Sequence, residues 1–341
     1  MRFLLYLFCF GVIFHGAAQE GTLIVLNKSD DTADLINLKS GESIATIPTG
    51  NGPHEVAVTP DGNLAVVTNY GRGDQWPGAS LTIIDIKEKK VKKTIALDYK
   101  APHGIEFISD NQVLVTCEAD KKLIQVNIEN GIIEKAIDTN QEVSHMVTYA
   151  PLSEKAFVAN IRSGSVSVID LKTDTLEKII PTGEGAEGVA LSSDGKHIWI
   201  TNRAEDTISL IDYETLEIVK SFASEEFPIR VKTTSDGKYG LVSNARSGDV
   251  KVFDASTCKL IKTIPMEVTA LEKEASRLFQ DFDDSPVPVG ILIHPNNRFA
   301  FVANTNADLI TVIDLDEMKI TSRLTAGKEP DGLGYSPLNL N

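Results

Sequence analysis

Short alternating runs of hydrophobic and polar residues recur along the chain and are separated by turn-forming residues. In residues 187–222, EGVALSSDGKHIWITNRAEDTISLIDYETLEIVKSF, one run ends at SSDG, a second at Asn202 and a third at Asp212, and EIVKSF closes the unit. Val, Ile, Leu and Phe favour the pleated faces of strands, while Gly, Asp, Asn and Ser favour turns. The pattern therefore predicts four short strands in each unit.

The unit repeats at a nearly fixed interval. With His54 as the reference, the equivalent positions are His103, His145, Glu187, Ile229, Val289 and Asp331. The intervals are 49, 42, 42, 42, 60 and 42 residues, so the period is 42, with 7 extra residues in one unit and 18 in another. Four strands in about 40 residues is typical of a propeller blade.

The two ends of the repeat region predict the last blade. The C-terminal EPDGLGYSP supplies an opening strand with no successors, and GTLIVLNKSDDTADLINLKSGESIATI supplies three strands with no opener. Joining them gives a seventh blade with one strand from the C-terminal end and three from the N-terminal end, which leaves no free edge. The sequence thus predicts an all-β, seven-bladed β-propeller that forms a single domain over residues 19–341.

The first residues differ from the repeats. MRFLLYLFCFGVIFHGAAQ has one Arg, an apolar core and the small residues Gly16, Ala17 and Ala18, which suit a signal peptidase. A single-pass anchor is the alternative, but the run is shorter than the roughly 20 apolar residues that a membrane span needs. We expect residues 1–18 to be a cleaved secretory signal, which leaves a periplasmic or secreted protein with no membrane span.

The net charge limits the classes of binding partner, and the cysteine positions indicate whether a disulfide forms. The formal net charge of -15 argues against nucleic acid, because affinity for phosphates depends on Lys and Arg. Cationic, metallic or neutral partners fit better. Cys117 and Cys258 fall at different points of non-adjacent units, so we expect no disulfide between them.

Two units carry a family resemblance. KAFVANIRSGSVSVIDLKTDTLEKIIPTGEGAEGVALSSDG and FAFVANTNADLITVIDLDEMKITSRLTAGKEPDGLGYSP resemble YVTN-type propeller repeats, the family that includes periplasmic YncE-like proteins and surface-layer repeat proteins. The resemblance spans nearly the whole mature chain and implies the propeller fold. Its relatives include binding proteins and, more distantly, sugar-lactone hydrolases and a streptogramin-opening lyase, so it implies no single chemistry.

Two recurring sets of polar residues have structural explanations. The third strand of each unit ends in a residue that can bond to turn amides: Asn37, Asp85, Asn127, Asp170, Asp212, Asp254 and Asp314. The second strand ends in a residue suited to capping, with one departure: Asn27, Asn69, Cys117, Asn160, Asn202, Asn244 and Asn304. We interpret Cys117 as a packed residue rather than a nucleophile.

The first strand of each unit lies nearest the propeller axis and carries the candidate chemistry. His54, His103 and His145 take the same position in three consecutive units, followed by Glu187 in the fourth and Asp331 in the last. Imidazoles and a carboxylate that converge on one mouth of the channel can bind a divalent transition metal, with His54, His103, His145 and Glu187 as ligands. Duplication alone also explains three histidines in register.

Charged residues also occur one or three positions further along this strand, on its other face. Glu55 and Glu106 in the first two units oppose Arg230 and Lys232 in the fifth. We interpret them as ion pairs inside the channel, with a role in substrate recognition as the alternative.

The two insertions fall on the face that carries the histidines. The first, residues 70–80, offers Tyr70, Arg72 and Trp76 for contacts, and the second, residues 265–287, has a helical apolar spacing within 267–288. Arg162, Arg203 and Arg246 follow strand-end asparagines and would surround the mouth with positive charge, which suits a carboxylate or phosphate-bearing small ligand.

Three functional hypotheses remain open. The first is an exported recognition module that binds a small molecule, metal or protein at the decorated face. The second is a hydrolase or lyase in which the histidines hold a metal or act as a base, Glu187 or Asp331 is a ligand or acid, and Arg230 stabilises an oxyanion. The third is a purely architectural repeat protein without a site.

Overall fold

The computed structural model describes residues 19–73, 75–268, 282 and 284–341. The predicted signal at residues 1–18 lies outside the described residues, as does most of the predicted helix in the second insertion. Within the described part of the chain, no helix is long and apolar enough to cross a membrane.

The described residues form 28 strands and one short 3-10 helix, Glu118–Asp120. In chain order, strands β1 to β28 are Thr22–Asn27, Thr32–Asn37, Glu42–Pro48, Pro53–Val58, Leu64–Gly71, Pro77–Asp85, Lys90–Ala96, Pro102–Phe107, Gln112–Cys117, Lys122–Asn127, Ile133–Asp138, Ser144–Ala150, Lys155–Asn160, Ser165–Asp170, Thr175–Pro181, Ala186–Leu191, His197–Asn202, Thr207–Asp212, Glu217–Ala223, Pro228–Thr233, Tyr239–Asn244, Asp249–Asp254, Leu260–Pro265, Pro288–Ile293, Phe299–Asn304, Leu309–Asp314, Lys319–Thr325 and Pro330–Ser336.

These strands make seven four-stranded antiparallel sheets, which confirms the predicted seven-bladed propeller. Blades 1 to 6 are formed by β4–β7, β8–β11, β12–β15, β16–β19, β20–β23 and β24–β27. Blade 7 has the strand order β28-β1-β2-β3, so one strand from the C-terminal end and three from the N-terminal end close the ring as predicted. The first insertion partly lengthens β5 and β6, which have 8 and 9 residues.

The hydrophobic core is divided among the gaps between blades. Phe157 of blade 3 and Ile200 of blade 4 belong to one cluster, and Trp199 of blade 4 and Phe253 of blade 5 belong to another. Similar clusters join every other pair of neighbouring blades. Because each sheet is buried on both faces, its inner strands carry apolar side chains on both faces. Alternation between exposed and more buried residues is seen in outermost strands such as β3, β11 and β15.

A β-bulge near the start of each innermost strand redirects the residues that the sequence singled out. In blade 1, Pro53 pairs with Asn69 but Val56 pairs with Val67, so His54 and Glu55 together face Thr68. Strict alternation would place His54 on the face of Val56, between blades. The extra residue bends the strand, and His54 lines the mouth of the channel instead.

Hydroxyl groups join each of several bulges to the next blade. The Thr116 hydroxyl of blade 2 accepts the Gly104 amide at 2.8 Å and donates to the His145 carbonyl of blade 3 at 2.5 Å. Thr68 forms the same pair of bonds to the Glu55 amide and the His103 carbonyl, at 3.0 and 2.8 Å. These bonds fix the backbone of the candidate histidines relative to their neighbours.

Glycine next to the bulge lets the blades approach closely. A Cβ atom at Gly104 would lie 2.5 Å from the carbonyl oxygen of His145, and one at Gly332 would lie 2.3 Å from that of His54. Both distances are too short for a real side chain. The innermost strands can therefore come close enough for the hydroxyl bridges only because these positions lack a side chain.

The Thr116 hydroxyl provides a stability test of these bridges. Thr116→Val keeps the shape of the side chain but leaves the buried Gly104 amide and His145 carbonyl without this partner. We expect it to destabilise the protein by about 2–4 kcal/mol in equilibrium urea unfolding, since an unsatisfied buried polar group costs about 1–3 kcal/mol. Thr116→Ser, which keeps the hydroxyl, is the control. Equal unfolding midpoints for the Val and Ser variants would contradict the bridging role.

Candidate functional site

A cavity of about 230 Å³ lies at one mouth of the central channel, and most of the predicted site residues line it. His54, His103, His145, Glu187 and Asp331 come from the bulges of five innermost strands, and Arg230 of blade 5 completes the floor. The chain thus brings together residues that are 277 positions apart at most in sequence. Tyr70, from the end of β5, also lines this cavity.

The three histidines form a row of neighbouring rings. The ring centroids of His103 and His145 are 3.6 Å apart with a 33° angle between the planes, and those of His54 and His103 are 5.1 Å apart. Tyr70 packs against His54 at 4.5 Å and against His103 at 5.4 Å. His54 Nδ1 lies 2.8 Å from the Gly52 carbonyl oxygen, so that nitrogen carries the proton when the ring is neutral.

Glu118 belongs to this group although the sequence analysis did not select it. It begins the 3-10 helix after β9, and its carboxylate contacts His145 Nδ1. Its other oxygen accepts a hydrogen bond of 2.7 Å from the Tyr70 hydroxyl. One ligand atom from each of His103, Glu118 and His145 lies within 4.8 Å of the other two, which is the arrangement of a candidate metal site.

The position that directly follows the strand-end asparagine, or Cys117 in blade 2, explains why Glu118 was missed. This position lines the mouth cavity in five blades, with Lys28, Tyr70, Glu118, Ile161 and Arg203. The sequence analysis treated Arg162 and Arg246 as equivalent to Arg203, but they are one residue further along. The Arg162 side chain is 69% exposed and Arg246 is also exposed, and neither lines the mouth cavity.

Glu187 is the centre of a buried charge network. Its Oε2 atom accepts a 2.6 Å bond from Arg203, and its Oε1 atom accepts a 3.0 Å bond from Arg230. His145 Nε2 lies 3.2 Å from Glu187 Oε1, an ion-pair contact without hydrogen-bond alignment. The network agrees with the interpretation that these channel charges pair with one another.

Arg230 continues this network across the channel. Its Nη2 atom lies 2.8 Å from Glu55 Oε1, so one guanidinium from blade 5 joins carboxylates from blades 4 and 1. The two predicted partners Glu106 and Lys232 lie on the other side of Arg230, outside the mouth cavity. On the mouth side, Lys28 pairs with Asp331 at 3.1 Å.

Arg72 and Trp76 of the first insertion do not line the mouth cavity. Arg72 bonds both carboxylate oxygens of Asp31 at 2.8 Å and the Lys28 carbonyl at 3.0 Å, which ties the insertion to blade 7. The Trp76 side chain lies at the surface and is 73% exposed. Arg246 stacks over the Phe227 and Phe282 rings at 5.5 and 4.8 Å.

The histidine pKa values diverge. Burial, reinforced by the Lys28 ammonium, lowers the pKa of His54 to about 3. Burial and the neighbouring histidines also lower the pKa of His103 well below its usual value. Burial acts in the same direction on His145, but the Glu118 and Glu187 carboxylates outweigh it and raise the pKa. His54 and His103 are therefore neutral imidazoles at neutral pH.

The carboxylates respond to their partners. Burial alone would raise the pKa of Glu187, but Arg203, His145 and Arg230 hold it well below the usual range. Glu187 is therefore ionised.

Burial raises the pKa of the Cys117 thiol far above its usual value, and Cys117 packs in the core between blades 1 and 2. The thiol is not a nucleophile at neutral pH, in agreement with its interpretation as a packed residue.

Four buried polar atoms around the mouth have no hydrogen-bond partner among the described residues. They are His103 Nδ1, His145 Nε2, Asp331 Oδ1 and Arg230 Nε. His103 is 2% exposed, so this nitrogen receives no compensation from bulk water. Buried polar atoms without protein partners are rare in folded proteins, and the explanations include an ordered water, a bound ion and strain.

The low pKa of His54 predicts a pH dependence of stability. The unfolded histidine has a pKa of about 6.5. Because the folded pKa is lower, the contribution of His54 is complete above about pH 6.5 and is lost as the pH falls towards 3. We expect the melting temperature to fall less between pH 7 and pH 4.5 in His54→Gln than in the wild type. His197→Gln, which changes a histidine at the start of β17 outside the cavity, is the control, and its melting temperature should fall as much as that of the wild type. An equal fall in melting temperature in all three proteins would contradict a lowered pKa of His54.

Known proteins resemble parts of this chain in sequence. Residues 149–272 match the model of the YncE-like beta-propeller family. A segment of 128 residues is 27% identical to the uncharacterized protein YncE of Salmonella typhi and covers 36% of each protein. A segment of 89 residues is 29% identical to a WD repeat-containing protein 55 homolog of Drosophila willistoni and covers 26% of this chain and 17% of that protein. The chain therefore matches 36% of the length of the Salmonella relative and 17% of that of the Drosophila relative.

Solved structures resemble nearly the whole fold. A functionally unknown protein from Desulfotomaculum acetoxidans superposes with a TM-score of 0.76 at 12% identity and covers 93% of this chain and 99% of that one. Hydrazine synthase of Kuenenia stuttgartiensis superposes with a TM-score of 0.70 at 16% identity and covers 84% and 90%. At such identities the likeness concerns the fold alone. The family-model match, the YncE relative and the seven four-stranded blades together confirm the predicted resemblance to YncE-like β-propellers.

Proposed function

We propose that this protein is an extracytoplasmic binding protein that holds a divalent transition-metal ion at the mouth of its channel. The observation that carries the proposal is the buried His103 ring: its Nδ1 atom has no hydrogen-bond partner among the described residues, and one of its nitrogens lies within 4.8 Å of ligand atoms of Glu118 and His145. An imidazole nitrogen in this situation has lost its water without gaining a donor. A metal ion would satisfy it.

The protonation state of His103 suits metal binding, whereas the raised pKa of His145 means that a metal ion must displace a proton from that ring. A histidine ligates a metal through an unprotonated nitrogen, and the lowered pKa of His103 keeps its ring neutral. Two imidazoles and a carboxylate are a ligand set that Zn²⁺, Ni²⁺, Cu²⁺ and Fe²⁺ accept. His54, the next ring in the row, is also neutral and is available as a further ligand.

We infer that Glu118, rather than Glu187, is the carboxylate ligand. Both Glu187 oxygens already accept bonds from arginines, so its charge is compensated. Glu118 has no arginine partner among the described residues, and the Tyr70 hydroxyl orients it. Such an outer hydrogen bond is typical of metal-ligating carboxylates. Glu187 would instead orient His145 from the opposite side of the ring.

The mouth also offers room for a second binding partner. The cavity of about 230 Å³ opens on the face that carries the first insertion, where exposed Trp76 and Arg162 are available to a small molecule or protein. A scaffold of rigid blades with a decorated loop face is a usual place for recognition. The acidic total charge supports partners other than nucleic acid.

Location and domain organisation complete the proposal. The apolar N-terminal segment and the likeness to YncE-like proteins support export from the cytoplasm, with residues 1–18 as the signal and 19–341 as one propeller domain. Two free buried cysteines, Cys117 and Cys258, are compatible with this location because neither thiol is exposed.

A hydrolase or lyase is the second candidate, because the same cavity could hold a small substrate beside a bound metal. The buried charge network argues against the role of Arg230 in this hypothesis. Arg230 already contacts the Glu187 and Glu55 carboxylates, so it is poorly placed to stabilise an oxyanion. An architectural protein without a site is the third reading, and it predicts no bound metal.

Elemental analysis of tag-free mature protein tests the metal site. We expect about one equivalent of a transition metal per chain, and loss of most of it in His103→Ala and in Glu118→Gln, because each change removes one of three ligands. His197→Ala, a histidine outside the mouth, is the matched control and should keep the metal. Full apo protein is also titrated with Zn²⁺, Ni²⁺ and Cu²⁺ by calorimetry.

The outcomes separate the three readings. Metal in the wild type and control but not in the site variants supports the proposal. Metal together with turnover of lactone or ester substrates that His103→Ala abolishes would favour the hydrolase. No metal in the purified protein and no saturable metal binding by the apo protein would overturn the proposed site.

A further inference from the structure

A second cavity of about 370 Å³ lies in the channel on the far side of Arg230. Arg230 lines both cavities, and its two terminal nitrogens join Glu187 on the mouth side to Glu55, which lines the second cavity. The Arg230 side chain is 4% exposed and lies between the two spaces. We call the second cavity the lower chamber.

The walls of the lower chamber are aliphatic. They come from the residue that follows the bulge in most innermost strands: Val56, Ile105, Val147, Val189, Ile291 and Leu333. The volume falls in the range of small-molecule sites, which are about 300–1,000 Å³ and mostly apolar with a few placed polar groups.

The same cavity is also lined by one further acidic and one further basic residue. Glu106 comes from β8 of blade 2 and Lys232 from β20 of blade 5. They do not form an ion pair within 4.0 Å, and Lys232 makes no salt bridge to any carboxylate in the described ranges. The Glu106 carboxylate accepts hydrogen bonds from the Tyr149 amide, at 3.1 Å, and from the Thr148 hydroxyl, and Lys232 is solvent-exposed. A carboxylate has about four acceptor sites and an ammonium has three donors, so each group can take a further partner of opposite charge.

The separation of these charges defines the ligand class. An anion alone would meet the Glu55 and Glu106 carboxylates, and a cation alone would meet Lys232 and Arg230. A ligand with both charges and an apolar body satisfies every group, because unlike charges meet and the aliphatic wall is covered.

We propose that the lower chamber binds a small zwitterion of the α-amino-acid type with an apolar side chain. Glu106 receives the ammonium group, Lys232 receives the carboxylate, and the side chain lies against the aliphatic ring. This site is separate from the metal site at the mouth and does not depend on it. It faces the end of the channel opposite the histidines, where no insertion covers it among the described residues.

Calorimetry on the full mature protein with L-leucine tests the proposal. Two analogues of the same apolar body serve as comparison: 3-methylbutylamine, which lacks the carboxylate, and 4-methylpentanoate, which lacks the ammonium. We expect L-leucine to bind at least tenfold more tightly than either analogue, since loss of one charge-assisted contact costs about 1.4 kcal/mol or more. All titrations are repeated after metal removal with a chelator, because amino acids themselves coordinate metals.

Matched variants locate the binding. Glu106→Gln and Lys232→Met should each weaken L-leucine binding at least tenfold, while Glu129→Gln and Lys92→Met, changed at exposed positions on the outside of the blades, should leave it unchanged. L-methionine and L-phenylalanine probe the size of the chamber. Thermal melting of every variant shows that the fold is intact.

Several results would overturn the proposal. They are the absence of saturable binding of all three amino acids, equal affinity for L-leucine and its single-charge analogues, or unchanged affinity in both chamber variants. Binding that disappears on chelation would assign the amino acid to the metal at the mouth instead. The proposal for the lower chamber can thus be contradicted while the proposal for the metal site is supported, and the reverse is also possible.

Discussion

The bulge near the start of each innermost strand is the constraint on which the whole channel depends. It places two residues opposite one, so that a side chain that would otherwise pack between blades points into the mouth. The bulge persists because its backbone groups are satisfied. In blades 1, 2 and 4 a threonine hydroxyl accepts an amide of the bulge and donates to a carbonyl of the next blade. The same hydrogen bonds hold neighbouring blades together and fix the backbone from which the site residues project.

Electrostatic compensation divides this channel into two parts. A buried guanidinium is costly unless carboxylates and hydrogen bonds replace its water, and Arg230 has Glu187 on one side and Glu55 on the other. The mouth is left with neutral imidazoles, a Glu118–His145 pair and two arginine-neutralised oxygens of Glu187. The lower chamber is left with Lys232, which forms no salt bridge within 4.0 Å in the described ranges, and with Glu106, whose pKa burial raises to about 7. The two ends therefore have different chemistry within one pore.

Fold and site differ in how far the sequence predicted them. The repeat of 42 residues, the blade count and the joining of β28 to β1 all followed from local patterns, since each blade repeats the same strands and turns. The in-register histidines were also visible. Glu118 was not, because its position after β9 has no repeated identity: the equivalent residues are lysine, tyrosine, isoleucine, arginine, alanine and threonine. A comparison of that position across units, rather than of the asparagines before it, would have selected Glu118.

The architecture followed from the sequence alone, because strand alternation and turn residues are local signals, four strands in about 40 residues are typical of a propeller blade, and the two chain ends supply complementary strands of one blade. The sequence also determined which residues begin the innermost strands. Only the tertiary structure decided which of them meet. Arg203 faces inwards and Arg162 outwards although both follow a strand-end asparagine, and Arg230 reaches Glu55 across 175 residues. Those choices depend on bulge geometry and on hydrogen bonds between blades, which arise only when neighbouring sheets are in contact.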